Sequence, residues 1–383
     1  MKRFERQGEV VWFHPFTFER WYAALGSPSA AVPPCPAQST VTVAPSRLDT
    51  FRVEVTFNCN CRCLYCIVAQ NALPERGAVM GPETAARIAR RFSRLQPPGH
   101  LLIMGGEPLL NWPATQVLAA AAGERGVLFT NGTLLAERAA ELARLRTLVL
   151  VSLDGPEEFN RGRRYVDGRP SFGDALRGYI AAREAGCRVG LLSVARPETV
   201  ACLAEVARHM WSWLAPEVYG ISLPHYTRYG FEPVDAGTYA GQLADLAREP
   251  WAQRVVPQIQ QRLEPLRARV LRLVSCKVAG EQWTFYPSGR RTLCTKLDGI
   301  GHPQASRLFF YRSRLPLHDE SCLDCAAVGI CGGGCAWDAV MLGDGRRDPR
   351  ECTINQTLLE AFLWMLRDEE AGGLRGWGRW LCN

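Results

Sequence analysis

Alternation of apolar and polar positions first becomes regular at residue 51, where Phe51, Val53, Val55 and Phe57 are separated by Arg52, Glu54 and Thr56. A period of two predicts a strand. Five further apolar runs follow: Leu101 to Met104, Val127 to Phe129, Leu148 to Val151, Val189 to Leu192 and Val218 to Ile221. Stretches with helical spacing lie between them, including Pro82 to Leu95, Leu134 to Leu145 and Phe172 to Ala185, the last opened by Ser171 as a cap. Repeated strand and helix units predict an α/β fold whose parallel sheet is joined by right-handed crossovers, and six units predict a partial, TIM-like (β/α)6 barrel over residues 51–235.

In such barrels the loops after the C-terminal strand ends converge on one mouth. The least ordinary residues of the chain fall in those loops. Cys59, Cys61, Cys63, Tyr65 and Cys66 follow the first strand, Gly105-Gly106-Glu107-Pro108 the second, Asn131-Gly132 the third, and Ser152-Leu153-Asp154-Gly155-Pro156 the fourth.

The chain has 383 residues, ample for a large core, and its 47% hydrophobic and 22% charged content is that of an ordinary globular protein. No apolar run has the length of a membrane span, and the charged start, Met1 to Arg6, lacks the form of a secretory signal. A cytoplasmic protein with no membrane partner is expected. The net charge of +7 counts thiols as neutral and carries no nucleic-acid footprint. What departs from the ordinary is the cysteine count of 15, odd and sharply clustered. Without an export signal this favours metal-thiolate chemistry over disulfides. Four cysteines lie at 59, 61, 63 and 66, and seven more lie at 276, 294, 322, 325, 331, 335 and 352.

Cys59, Cys63 and Cys66, with Tyr65 before the last, have the spacing of the radical S-adenosylmethionine (radical SAM) superfamily, which the chain therefore resembles. The resemblance implies that these three thiolates hold a 4Fe-4S cluster with one open iron, where S-adenosylmethionine binds and is cleaved to a 5′-deoxyadenosyl radical. Cys61 falls outside that spacing. Gly105, Gly106 and Glu107 resemble the family loop that receives the methionine amino group. Asn131, Ser152 and Asp154 are expected in the same cofactor site, and Arg164 stands where relatives bring an arginine to the SAM carboxylate, with Arg161 and Arg163 as near neighbours. A zinc knuckle is the other use of four crowded thiols. It would need none of the three following loops.

The later cysteines resemble the SPASM extension of the same superfamily. By that resemblance, over residues 276–352, Cys322, Cys325, Cys331 and Cys352 hold one auxiliary 4Fe-4S cluster, and Cys276, Cys294 and Cys335 hold another. This makes three clusters in all. The second auxiliary set lacks an eighth cysteine, so its site is either open or filled by a residue such as Gln282 or Cys382.

Around these regions, residues 1–50 read as a separate N-terminal extension with a Pro-rich linker, 236–275 as a helical bridge, and 353–383 as a C-terminal helix and tail. Arg254, Arg262, Arg267, Arg269 and Arg272 read as a solvated face of the bridge, or alternatively as a groove for an acidic leader peptide. His225, Tyr226 and Tyr229 follow the sixth strand and could face the mouth.

The resemblance implies a peptide-modifying enzyme that abstracts hydrogen from a ribosomally made precursor peptide and installs a thioether or carbon-carbon cross-link. Its electron donor would be a flavodoxin or ferredoxin. Alternatives are sulfatase maturation, a small-molecule dehydrogenase or epimerase, and an iron-sulfur electron carrier. Thr295 after Cys294 replaces the aspartate base of sulfatase-maturing relatives, and the SAM loops count against a mere electron carrier.

Overall fold

The computed structural model describes residues 1–33, 42–43, 48–70, 73–96, 98–226, 233–302 and 315–372. Its centre is an eight-stranded sheet. The strands among the described residues are numbered in chain order: β1 (Lys2–Arg6), β2 (Glu9–Phe13), β3 (Arg20–Ala24), β4 (Thr42–Val43), β5 (Thr50–Thr56), β6 (His100–Gly105), β7 (Gly126–Thr130), β8 (Leu148–Ser152), β9 (Val189–Val194), β10 (Tyr219–Ser222), β11 (Val270–Leu271), β12 (Gln282–Phe285) and β13 (Arg291–Thr292). Strands β5 to β10 are the six expected from periodicity. They pair in parallel in sequence order, giving the partial barrel.

Helices Pro82–Ser93, Trp112–Ala122, Ala139–Leu145, Phe172–Glu184 and Leu203–Leu214 lie between these strands in the chain. One face of β5 carries Phe51, Val53 and Val55, all buried, and Phe51 meets Phe92 of the first of those helices edge to face at 5.7 Å. The other face carries Arg52 and Glu54, whose side chains pair at 2.7 Å. The polar half of the alternation thus lies inside the molecule, since Glu54 is also buried.

The periodicity did not reveal what closes the sheet beyond β5. Strand β12 pairs in parallel with β5, Gln282 opposite Thr50 and Phe285 opposite Val53, and turns back antiparallel as β13. The segment between Cys276 and Cys294 therefore extends the barrel sheet, which joins the cysteine-rich region to it by backbone hydrogen bonds.

Two expectations need correction. Residues 1–24 do not stand apart: β1, β2 and β3 form an antiparallel sheet that packs on the C-terminal helix Pro349–Gly372, and Val11, Phe13 and Phe18 belong to the same core as the barrel. Arg6 meets Asp368 at 2.9 Å, Arg20 meets Glu370 at 2.6 Å, and the Tyr22 hydroxyl donates to the Leu363 carbonyl at 2.7 Å. The linker's Pro34, Pro36 and Pro45 lie outside the described residues, as do Cys35, Tyr229, Trp377, Trp380 and Cys382.

The second correction concerns the bridge. It forms helices Ala236–Leu246, Pro250–Val255 and Pro257–Ala268, but Arg262 is buried rather than solvated. Its guanidinium bonds Glu351 at 2.6 Å, Asn355 at 2.8 Å and the Gln258 carbonyl at 2.8 Å. Glu351 is held below its usual carboxylate range, burial being opposed by the Arg262 charge. Removing one partner of such a pair strands the other, whereas an exposed charge costs little. Arg262→Ala should therefore lower unfolding stability by about 3 to 5 kcal/mol in anaerobic denaturant titrations. The exposed Arg248→Ala should stay within about 0.5 kcal/mol of the parent. Equal midpoints would contradict the assignment.

Candidate active site and cysteine centres

Three thiol groups organise the chemistry. The first follows β5. Its loop is held by backbone pairing with the segment after β8: the Arg62 amide donates to the Arg164 carbonyl at 2.7 Å, the Leu64 amide to the Gly162 carbonyl at 3.0 Å, and the Val166 amide to the Asn60 carbonyl at 3.0 Å. Cys61 is buried, while Cys59, Cys63 and Cys66 are half-buried. Burial pushes the Cys63 thiol up to about 11. Hydrogen bonding by the Cys61 thiol draws the Cys59 thiol down, with a further contribution from the Asn131 amide.

The glycines at the end of β6 allow the second loop to reach this one. A Cβ on Gly105 would lie 2.0 Å from the Thr56 carbonyl oxygen, and one on Gly106 would lie 2.1 Å from that of Asn58. No other residue fits. The Gly106 and Glu107 amides then donate to Thr56 and Asn58 at 2.7 and 2.8 Å.

Glu107 and Asn131, expected in the cofactor site, are engaged with the protein. The fully buried Glu107 carboxylate accepts from the Leu109 amide at 3.0 Å, the Thr130 hydroxyl at 2.8 Å and the Asn131 amide at 2.7 Å, so it ties the second loop to the third. Burial raises its pKa to about 7. The Asn131 side-chain amide donates to Asn60 Oδ1 at 2.8 Å and approaches the sulfurs of Cys61 and Cys59 at 3.5 and 3.8 Å. Ser152 closes β8 and is half-buried.

Asp154 is the hub of the fourth loop. Its carboxylate accepts from the Tyr65 hydroxyl, from Arg163 at 2.8 Å and from the Val194 amide at 3.0 Å. The Arg163 guanidinium sits 5.4 Å from the Tyr65 ring centre and its Nε is buried without a protein partner. Arg164 is elsewhere. Its exposed guanidinium bonds the carbonyls of Arg161 at 2.9 Å and Gly168 at 3.3 Å, away from Asp154. A residue the sequence did not single out is Arg196, after β9. It is buried, its Nε also lacks a protein partner, and its position leaves no room for a Cβ on Gly162. Its one legible signal was an arginine two residues after the end of a barrel strand.

The second group, Cys322, Cys325, Cys331 and Cys352, lines a cavity of about 420 Å³. N–H groups aim at its sulfurs: Arg347 at Cys322 (3.0 Å), Asn355 at Cys331 (3.5 Å) and Gln356 at Cys325 (3.6 Å). Burial pushes the Cys331 thiol up to about 12. Cys352 comes from the first turn of helix Pro349–Gly372.

Cys276, Cys294 and Cys335 form the third group, around Leu297 and Trp337. A cavity of about 380 Å³ beside Cys276 and Cys335 also takes in Lys277, Gln282, His225 and Asp338. Thr295 begins the helix Thr295–Gly299, with its side chain buried. The thirteen described cysteines are all free thiols. A thiol-rich donor set with N–H groups directed at sulfur fits iron-sulfur clusters, because such donors stabilise metal-bound thiolate.

Comparison with known proteins agrees with the barrel. Residues 53–210 match the profile of the radical SAM superfamily. Over 171 residues the chain is 34% identical to the GTP 3′,8-cyclase of Mycolicibacterium smegmatis, covering 43% of this chain and 46% of that protein. Over 158 residues it is 39% identical to the GTP 3′,8-cyclase of Mycobacterium ulcerans, covering 39% and 42%. The chain thus spans less than half the length of these relatives. Among solved structures, native anSMEcpe with bound AdoMet and Cp18Cys peptide superposes with a TM-score of 0.66 at 17% identity, covering 85% of this chain and 99% of that one. Streptococcus suis SuiB bound to the precursor peptide SuiA does so with a TM-score of 0.57 at 14% identity, covering 80% and 76%. Both likenesses are of fold. Among the described residues no helix is long and apolar enough to cross a membrane. The match to the radical SAM superfamily over residues 53–210 thus falls on the six-stranded barrel and takes in the Cys59, Cys63 and Cys66 loop.

Proposed function

We propose that the chain is a radical SAM enzyme with a SPASM region that abstracts hydrogen from a ribosomally made peptide and installs an oxidative cross-link, a thioether or carbon-carbon bond. The observation that carries this reading is the pair of thiol groups beyond the barrel, joined to it through β12. A cross-link made by losing hydrogen leaves electrons to be taken up, and auxiliary clusters are suited to that. Cys59, Cys63 and Cys66 would hold the SAM-binding cluster, with Gly105, Gly106, Ser152 and Arg163 nearest to the cofactor. That group supplies a 5′-deoxyadenosyl radical when loaded and reduced by a flavodoxin or ferredoxin. The chain's own residues bind and orient: Asp154 fixes Tyr65 and Arg163, and Glu107 keeps two loops in register. Peptide-bound anSMEcpe and SuiB support a peptide substrate for this fold.

A second reading, cyclisation of GTP, is favoured by the names of the curated relatives. Their similarity covers less than half of this chain, and the four-thiol group lies beyond the profile-matched domain. Sulfatase maturation is less favoured, because Thr295 offers no base after Cys294.

Two measurements test the leading reading. Anaerobically reconstituted protein should cleave SAM under a strong reductant, and replacing Cys59, Cys63 and Cys66 together by alanine should abolish 5′-deoxyadenosine formation while most of the iron remains bound. Cleavage by the triple variant would refute the cluster assignment. Turnover of GTP with SAM, and none of a peptide encoded beside the gene, would instead favour the second reading.

Arg163 can be tested against its neighbour. Removing a guanidinium from a buried carboxylate leaves that charge unpaired, at a cost of about 3 to 5 kcal/mol. Arg163→Ala strands the buried Asp154 carboxylate, which also holds Tyr65 of the cysteine loop, so that loop should lose its fixed geometry and SAM binding should weaken at least about tenfold, equivalent to 1.4 kcal/mol. Arg164→Ala, which loses two contacts to exposed carbonyls, should change it little. Equal dissociation constants for the two variants would overturn the assignment.

A further inference from the structure

We infer that His225 supplies the fourth protein ligand, through an imidazole nitrogen, to the cluster of Cys276, Cys294 and Cys335. The inference rests on the reading that these three thiols hold a cluster. A ring nitrogen of His225, the Cys335 sulfur and a carboxylate oxygen of Asp338 all lie within 4.8 Å of one another. His225 Nδ1 bonds Asp338 Oδ2 at 2.6 Å, which leaves Nε2 as the ring position available to a metal. A carboxylate on the far nitrogen is the usual support of a ligating histidine, fixing its tautomer and orientation and raising its basicity.

The loop carrying His225 is clamped on both sides of it. The Tyr226 amide donates to Asp338 Oδ1 at 2.8 Å and the Trp337 indole to the Tyr226 carbonyl at 2.9 Å. Before His225, the Pro224 carbonyl accepts from Arg350 at 2.8 Å, and Arg350 also meets Asp338 at 2.9 Å. Cys335 is the N-cap of the helix Ala336–Leu342 that contains Trp337 and Asp338. One short segment thus presents a thiol and secures the imidazole beside it.

The other described candidate is less suited. Gln282 donates its amide to Thr284 Oγ1 at 2.9 Å, and a neutral amide is a poorer ligand than imidazole for iron. Three thiolates and one neutral imidazole would complete the coordination of this cluster without a peptide thiolate. They would also set its potential above that of an all-thiolate cluster.

The test uses the full chain with Cys59, Cys63 and Cys66 replaced by alanine, produced with 14N- or 15N-histidine, reconstituted anaerobically and reduced with dithionite. Pulsed electron paramagnetic resonance should detect a strongly coupled nitrogen that changes with the isotope and is lost in His225→Ala. His225→Cys should retain the iron, lose the nitrogen coupling and shift one midpoint to more negative potential. Absence of a histidine-sensitive coupling, or its persistence in His225→Ala, overturns the inference. Iron analysis of Cys335→Ala separates the two levels. A loss of iron without any nitrogen coupling in the parent removes only the His225 assignment, whereas unchanged iron removes the cluster reading and this inference with it.

Discussion

Thiolates brought close together repel one another, and burial makes each harder to ionise, so groups of three or four thiols demand both compensation and a rigid frame. The barrel's loops and the C-terminal helix provide that frame. Cys63 and Cys331 show the cost of burial in their raised pKa values, while Asn131, Arg347, Asn355 and Gln356 direct N–H groups at neighbouring sulfurs. Metal binding would turn that arrangement from a cost into a stabilising one, since ligation deprotonates the thiols and couples to folding.

The helix Pro349–Gly372 reaches most of the molecule from a single element. Its first turns supply Arg350 to Pro224 and Asp338, Glu351 to Arg262, Cys352 to the four-thiol group, and Asn355 to both Arg262 and Cys331. Further along it receives the N-terminal sheet through Tyr22, Arg6 and Arg20. Barrel, bridge and cysteine centres are therefore mechanically linked, and disturbance at Arg262 would be felt at the thiols.

The barrel was legible because each strand has a local signature, and six runs at the right spacing leave few topologies open. The clustering of the cysteines marked two thiol-rich regions, and their division into three groups came from the family resemblance. Other features depend on partners distant in sequence. Strand β12 has only four residues, and it is a strand because β5 offers an edge more than two hundred residues earlier in the chain. Arg262 looked solvated in a row of arginines, yet Glu351 and Asn355, 89 and 93 residues further along the chain, bury it. Likewise β1 carries four charged residues around Phe4 and finds its partners in β2 and the acidic end of the last helix.

Arg163 and Arg164 show how backbone register decides which of two neighbouring arginines is turned inward. Between Gly162 and Val166 the chain pairs with the cysteine loop through a bridge at Tyr165, and its backbone carbonyls at 162 and 164 accept from that loop's amides. In an extended segment successive side chains point to opposite sides, so a shift of one position exchanges inside for outside. Arg163 is turned in to Asp154, with its side chain 11% exposed, while Arg164 and Val166 lie exposed. The resemblance that pointed to Arg164 locates the segment but carries no information on its register. That register is set by the pairing with Asn60, Arg62 and Leu64, and by Arg196, which fills the place where any side chain at position 162 would stand.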